Sequence, residues 1–78
     1  MVNMKKMNLT ELPLNVNGII VNLKCRGNIR RRLLDLGLVN GTNIRPVLVS
    51  PSRDPRAFEV RGTIIAIRKE DAENIEIQ

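Results

Sequence analysis

Apolar and polar positions over residues 27–41, GNIRRRLLDLGLVNG, recur with the spacing of a helix: Ile29, Leu33 and Leu36 share one face, while Arg30, Arg31 and Asp35 fall mostly elsewhere on the wheel. Asn28 is suited to cap the first turn, and Gly37 follows the last one, where a left-handed residue commonly closes a helix. About two and a half turns are too few to stand alone, so this stripe must pack on other elements. Those elements read as strands. Residues 18–23 (GIIVNL) place Ile19, Val21 and Leu23 on one face and Ile20 on the other. Residues 42–50 (TNIRPVLVS) form a second strand in which Pro46, unable to donate to a ladder, marks an edge or a bulge. Residues 57–61 alternate with Phe58 and Val60 inward. Gly62-Thr63 turns into residues 64–68 (IIAIR), apolar on both faces, and residues 75–78 close with Ile75 and Ile77 on one side.

Shorter elements fill the gaps. Residues 8–12 read as one helical turn capped by Asn8, with Glu11 three residues on as in a capping box, and Pro13 ends it. Residues 69–74 leave room for a single turn that puts Ala72 inward, and residues 51–55 (PSRDP) form a loop tip. About five short strands with one inserted α-helix and one or two single helical turns predict a mainly β fold, a small barrel whose closure removes exposed edges.

At 78 residues the chain holds one small domain, read as residues 8–78 behind a loose N-terminal extension of residues 1–7. With one Phe and no Trp or Tyr, the core must be aliphatic. The single Cys25 excludes an internal disulfide and fits a reducing cytosol. No apolar run approaches the roughly 20 residues of a membrane span, and MVNMKKMN has no hydrophobic signal segment, so a soluble cytoplasmic protein is expected.

Candidate chemistry is sparse. The chain has no histidine, which removes the commonest general base and any Ser-His or Cys-His pair. Lys24 and Arg26 would favour a Cys25 thiolate, against the simpler reading of a cysteine at a strand end. There is no phosphate-binding GxxxxGK[ST] loop. One thiolate and scattered carboxylates, densest at Glu70, Asp71 and Glu73, supply no ligand set for a transition metal. No catalysis, metal site or cofactor is expected.

The net charge of +5 fits nucleic acid, an acidic protein or anionic lipid. Leu12-Pro13-Leu14, Gly18-x-Ile20, Arg32-Leu33-x-Asp35-Leu36-Gly37-Leu38, Gly41, Asp54-Pro55, Val60-Arg61-Gly62, Ile65-Ala66-Ile67-Arg68 and Asp71-Ala72-x-x-Ile75 occur in an order that resembles the FeoA family of ferrous iron transport accessory proteins. The likeness runs from about Leu9 to Ile77. Asn15 and Asn40 stand where glycine and proline are common in that family, and asparagine tolerates the left-handed backbone those turns use. The resemblance implies an SH3-like barrel, shared with the C-terminal domains of iron-dependent repressors, and a cytosolic partner, the FeoB-type transporter with its GTP-binding domain. It also marks Arg32, Leu33, Asp35, Leu36, Gly37, Gly41, Gly62 and Ala72 as structural positions.

Two surfaces are expected to dock that partner. One is the basic helix, Arg30 and Arg31 flanked by Lys24 and Arg26, whose guanidinium forks suit carboxylates or phosphates. The other is the loop of residues 50–56, with Arg53, Asp54 and Arg56 between prolines that pre-order it. Arg32 is placed to pair with Asp35. An edge near Pro46 offers pairing to a second copy, and inner-leaflet headgroups would add attraction. A nonspecific nucleic-acid barrel is the first alternative, opposed by the missing stacking aromatics. A detached regulatory domain of a metal-dependent repressor is the second, opposed by the lack of a DNA-reading helix-turn-helix before the barrel.

Overall fold

A computed structural model describes residues 7–78, so the expected extension lies, except for Met7, outside the described residues. The strands are β1 (Met7–Asn8), β2 (Gly18–Leu23), β3 (Asn43–Val49), β4 (Arg56–Val60), β5 (Thr63–Ile67) and β6 (Ile75–Ile77); helix α1 spans Gly27–Asp35 and α2 spans Lys69–Ala72. A single 3₁₀ turn, Leu9–Glu11, follows β1 and carries the expected capping box: Thr10 N–H donates to Asn8 Oδ1 and Asn8 N–H to Glu11 Oε1, both at 2.9 Å. β1 is one strand more than the sequence pattern announces. It is set by pairing with β6, Met7 opposite Ile77, a contact no local pattern encodes.

The strands form one antiparallel sheet in the order β1-β6-β2-β3-β4-β5. It curls around a single aliphatic core in which Leu9, Ile20, Leu38, Ile44, Phe58 and Ile75 have no exposed surface. Among the described residues the sheet is not closed by hydrogen bonds. β1 and β5 remain its two ends, whereas closure would have removed both edges.

Three local expectations need correction. In β2 the inward residues are Ile20 and Leu23, and Ile19 is exposed, because the pairing with β6 slips between Ile20 and Asn22 and the irregularity shifts the two-residue alternation. Helix α1 starts at Gly27 with Arg26 as a cap that makes no side-chain bond, so Asn28 lies inside the first turn. The helix also buries less of its predicted stripe than expected. It packs through Leu33 and the partly buried Leu34, while Ile29 and Leu36 stay exposed. At about 100° per residue Arg30 falls between Leu33 and Leu34 on the wheel. Its Nη1 donates to the Leu23 carbonyl at 2.7 Å, although the residue as a whole is exposed, and Ile29 and Leu36 border a small hollow with Ile65 and Ile67 of β5.

Other expectations stand. Gly37 closes α1 at φ +101°, a left-handed conformation that side chains resist. Pro46 sits beside a register shift in the β3–β4 ladder, its carbonyl accepting from Asn15 N–H at 2.7 Å. Phe58 and Val60 face inward, as do Ala72, Ile75 and Ile77. β5, apolar on both faces, is an end strand and buries only Ile65 and Ile67.

Candidate functional site

The loop from Ser50 to Arg56 borders a groove of about 500 Å³. Its floor comes from Leu12, Pro13, Leu14, Val49 and Ile67, with Arg53 and Lys69 at the rim. The loop is folded on itself, Arg53 N–H donating to Ser50 O at 2.8 Å and Ser52 Oγ to Asp54 O at 2.9 Å. Asp54 reaches out of it: its Oδ1 accepts from Lys69 N–H at 2.8 Å and so satisfies a free donor at the start of α2, where Arg68 offers no side-chain cap.

Arg56 is engaged internally. Its guanidinium donates to Thr10 O at 3.2 Å and Leu12 O at 2.9 Å, and lies 5.4 Å from the centre of the Phe58 ring. It thereby ties β4 to the 3₁₀ turn and forms part of the groove's wall. Of the three loop residues singled out from sequence, Arg53 alone presents an uncommitted charge to the groove. Lys69 and the exposed Leu14, which complete the site, were missed; Leu14 in the LPL run, an apolar residue trapped between a proline and a turn, was the available signal.

The basic helix divides in the same way. Lys24 Nζ pairs with Glu76 Oε2 at 3.0 Å, and Arg30 is held by Leu23 O. Arg26 and Arg31 are exposed and make no ion pair among the described residues. Arg30 and Arg31 flank a shallow hollow with Leu34 and Asp35. Arg32 does not join them. It borders a separate hollow with Ile29, Ala66 and Arg68, and makes no ion pair with Asp35. The helix face and the loop groove thus form two separate hollows.

Cys25 is buried between the two cations that looked able to activate it. Its Sγ lies 3.6 Å from Asp71 O, and burial, reinforced by the Asp71 carboxylate, pushes the thiol above its usual value. A buried neutral thiol is inert, so the thiolate reading fails here. No three His, Cys, Asp or Glu residues among those described are grouped as metal ligands. No helix among them is long and apolar enough to cross a membrane.

The fold defines a small SH3-like domain, with two charged hollows on its surface. The FeoA domain family matches residues 7–78, and the chain belongs to that family. It is 36% identical over 72 residues to the Fe(2+) transport protein A/Fe(2+) transporter FeoB fusion protein of Porphyromonas gingivalis, a match that covers 92% of this chain and 8% of that much longer protein. In structure it resembles the FeoA protein of Chlorobium tepidum, with a TM-score of 0.88 and 30% identity over 92% of this chain and 69% of that one. It also resembles Stenotrophomonas maltophilia FeoA, solved with zinc and described as a prokaryotic SH3 domain protein, with a TM-score of 0.79 and 32% identity over 92% of this chain and 89% of that one. The family is thus associated with ferrous iron transport, and in the fusion relative the FeoA-like part shares a chain with FeoB.

Proposed function

We propose that the chain is a non-enzymatic cytoplasmic accessory protein of bacterial ferrous iron uptake that docks on the cytosolic GTP-binding part of a FeoB-type transporter. The observation that carries this reading is the fusion relative, in which a segment 36% identical to this chain is joined covalently to FeoB. Joining two modules replaces a bimolecular encounter by a high effective concentration, which is of use when the modules work in contact. The uncommitted Arg26 and Arg31 on one surface, and Arg53 and Lys69 on the other, suit an acidic protein face. The excess of positive charge would add attraction to the anionic inner leaflet, about 1 kcal/mol per Lys or Arg close to it.

A nucleic-acid role is less well supported, since the lone aromatic residue, Phe58, is fully buried and offers no base a stacking platform. The test is an amide NMR titration of the labelled chain with the transporter's soluble GTP-binding domain, with and without nucleotide, beside a short DNA duplex. Shifts at Arg26–Arg31 or around the groove that persist at moderate salt and are absent with DNA are expected. Shifts with DNA alone would overturn the reading.

A further inference from the structure

Two features meet in the groove beside the Ser50–Arg56 loop: an open aliphatic lining and cations without counter-ions. Of its apolar residues Leu12 and Ile67 are buried, while Pro13, Val49 and the 47% exposed Leu14 keep surface in contact with water. Apolar surface left wet in a concavity favours an apolar occupant. At about 500 Å³ the groove falls within the roughly 300–1,000 Å³ of ordinary ligand sites, far more than an inorganic anion fills.

The charge around it is one-sided. Arg53, Arg56 and Lys69 line the groove against a single carboxylate, Glu11, whose Oε1 already accepts from Asn8 N–H. Asp54 of the same loop accepts from Lys69 N–H, yet none of the three cations makes an ion pair among the described residues. Thr10 O and Leu12 O occupy two donors of the half-buried Arg56 and neutralise none of its charge. With water partly excluded, that charge acts more strongly than it would on an open surface. The same bonds tie the 3₁₀ turn to β4, so the groove is formed before anything enters it, and the ordering cost of binding falls.

The lining selects the occupant. Aliphatic walls offer nothing to a bare phosphate, and no aromatic ring lines the groove to stack on a base. A second copy is repelled, since each chain carries +5. We propose that the groove holds a short segment of a partner protein in which an aliphatic side chain stands next to a carboxylate, the first seated against Leu14 and Val49 and the second facing Arg53 and Lys69. The proposal rests on the transporter reading for the identity of that partner.

The test is an NMR titration of the chain, methyl-labelled at Leu, Val and Ile, with the transporter's GTP-binding domain as probe. The methyl signals of Leu14, Val49 and Ile67 are expected to shift. Leu14→Ser removes apolar wall at an exposed position, leaves every charge in place and is expected to weaken binding about tenfold, with the melting temperature little changed. Arg53→Gln and Lys69→Gln are each expected to weaken it about threefold at low salt, an effect that fades as salt is raised while that of Leu14→Ser persists. Binding with those methyls unmoved and Leu14→Ser harmless overturns this inference and leaves the transporter reading intact. So does an effect of the charge variants without one of Leu14→Ser, since the groove is then only a patch of charge. No binding by the parent chain overturns both. The same methyl shifts on concentrating the chain alone, or with phosphatidylglycerol vesicles alone, identify a second copy or a lipid surface as the occupant and overturn the proposal.

Discussion

Two regions look alike in sequence, each a cluster of arginines beside a turn: Lys24 to Asp35 and Ser50 to Arg56. In the structure they differ in what their charges do. In the loop, Arg56 braces two carbonyls of the segment that follows β1, and Asp54 supplies the bond that starts α2. Its formal charges are mostly internal fixings. In the helical region Arg30 alone is fixed in this way, and Arg26 and Arg31 remain free of ion pairs among the described residues. A guanidinium has five donors, so a neighbouring unsatisfied carbonyl can claim it before any partner does. Arginine clusters therefore report docking capacity only after the local carbonyls have been satisfied.

The largest effect expected from this contrast is at Arg56. Arg56→Ala removes two charge-assisted bonds and a ring contact, leaves Thr10 O and Leu12 O without that donor, and should cost about 2 kcal/mol in urea unfolding. Arg56→Lys should recover less than half of it, because an ammonium cannot span both carbonyls. A loss below about 0.5 kcal/mol would return Arg56 to the docking surface. Asp54→Ala and Arg30→Ala each remove one bond of this kind and should cost about 1 kcal/mol. For Arg30→Ala a further sign is expected: released from Leu23 O, α1 should lose chemical-shift dispersion around Leu33 and Leu34.

How much of this was legible depends on the range of the cause. The capping box at Asn8 and Glu11, the closure at Gly37 and the inward Ala72 follow from residues within one turn of each other, and all are present. The packing of α1 was half visible: the Ile29–Leu33–Leu36 stripe, a sound reading of spacing, does meet Ile65 and Ile67, but only Leu33 is buried there, because α1 lies at the margin of the core. The engagement of Arg56 was hidden more deeply, since its acceptors lie 44 and 46 residues away. Position in the ladder was the third hidden quantity. TIIAI reads as apolar on both faces, and only the strand order shows that it is an end strand. The groove was half visible, its loop in the prolines and its floor not at all, because Leu12, Val49 and Ile67 come together only through the sheet.

At Arg31 the contrast predicts a small effect on stability and a larger one on binding. Arg31→Glu should change unfolding by no more than about 0.5 kcal/mol, as for an exposed side chain without a partner. It should nonetheless weaken association with the GTP-binding domain, and by less as salt is raised. If Arg53→Glu has the larger effect on association, the groove and not the helix is the principal docking surface.

The smallest expected effect is the pH response of Cys25, which tests whether the helical region is chemically as well as electrostatically distinct. Burial, together with Asp71, raises the folded thiol above its usual value of 9.0, so the folded chain holds that proton more tightly than the unfolded chain does. The resulting stabilisation is fully present below pH 9.0 and is lost as pH rises from there through the raised folded value. Measured by urea unfolding, the parent should lose stability relative to Cys25→Ala over that window, and iodoacetamide should label Cys25 slowly in the native chain at neutral pH and rapidly once unfolded. A relative gain of stability over the same window would mean that Lys24 and Arg26 stabilise a thiolate after all. The cations of this region would then act on their own chain before they act on a partner.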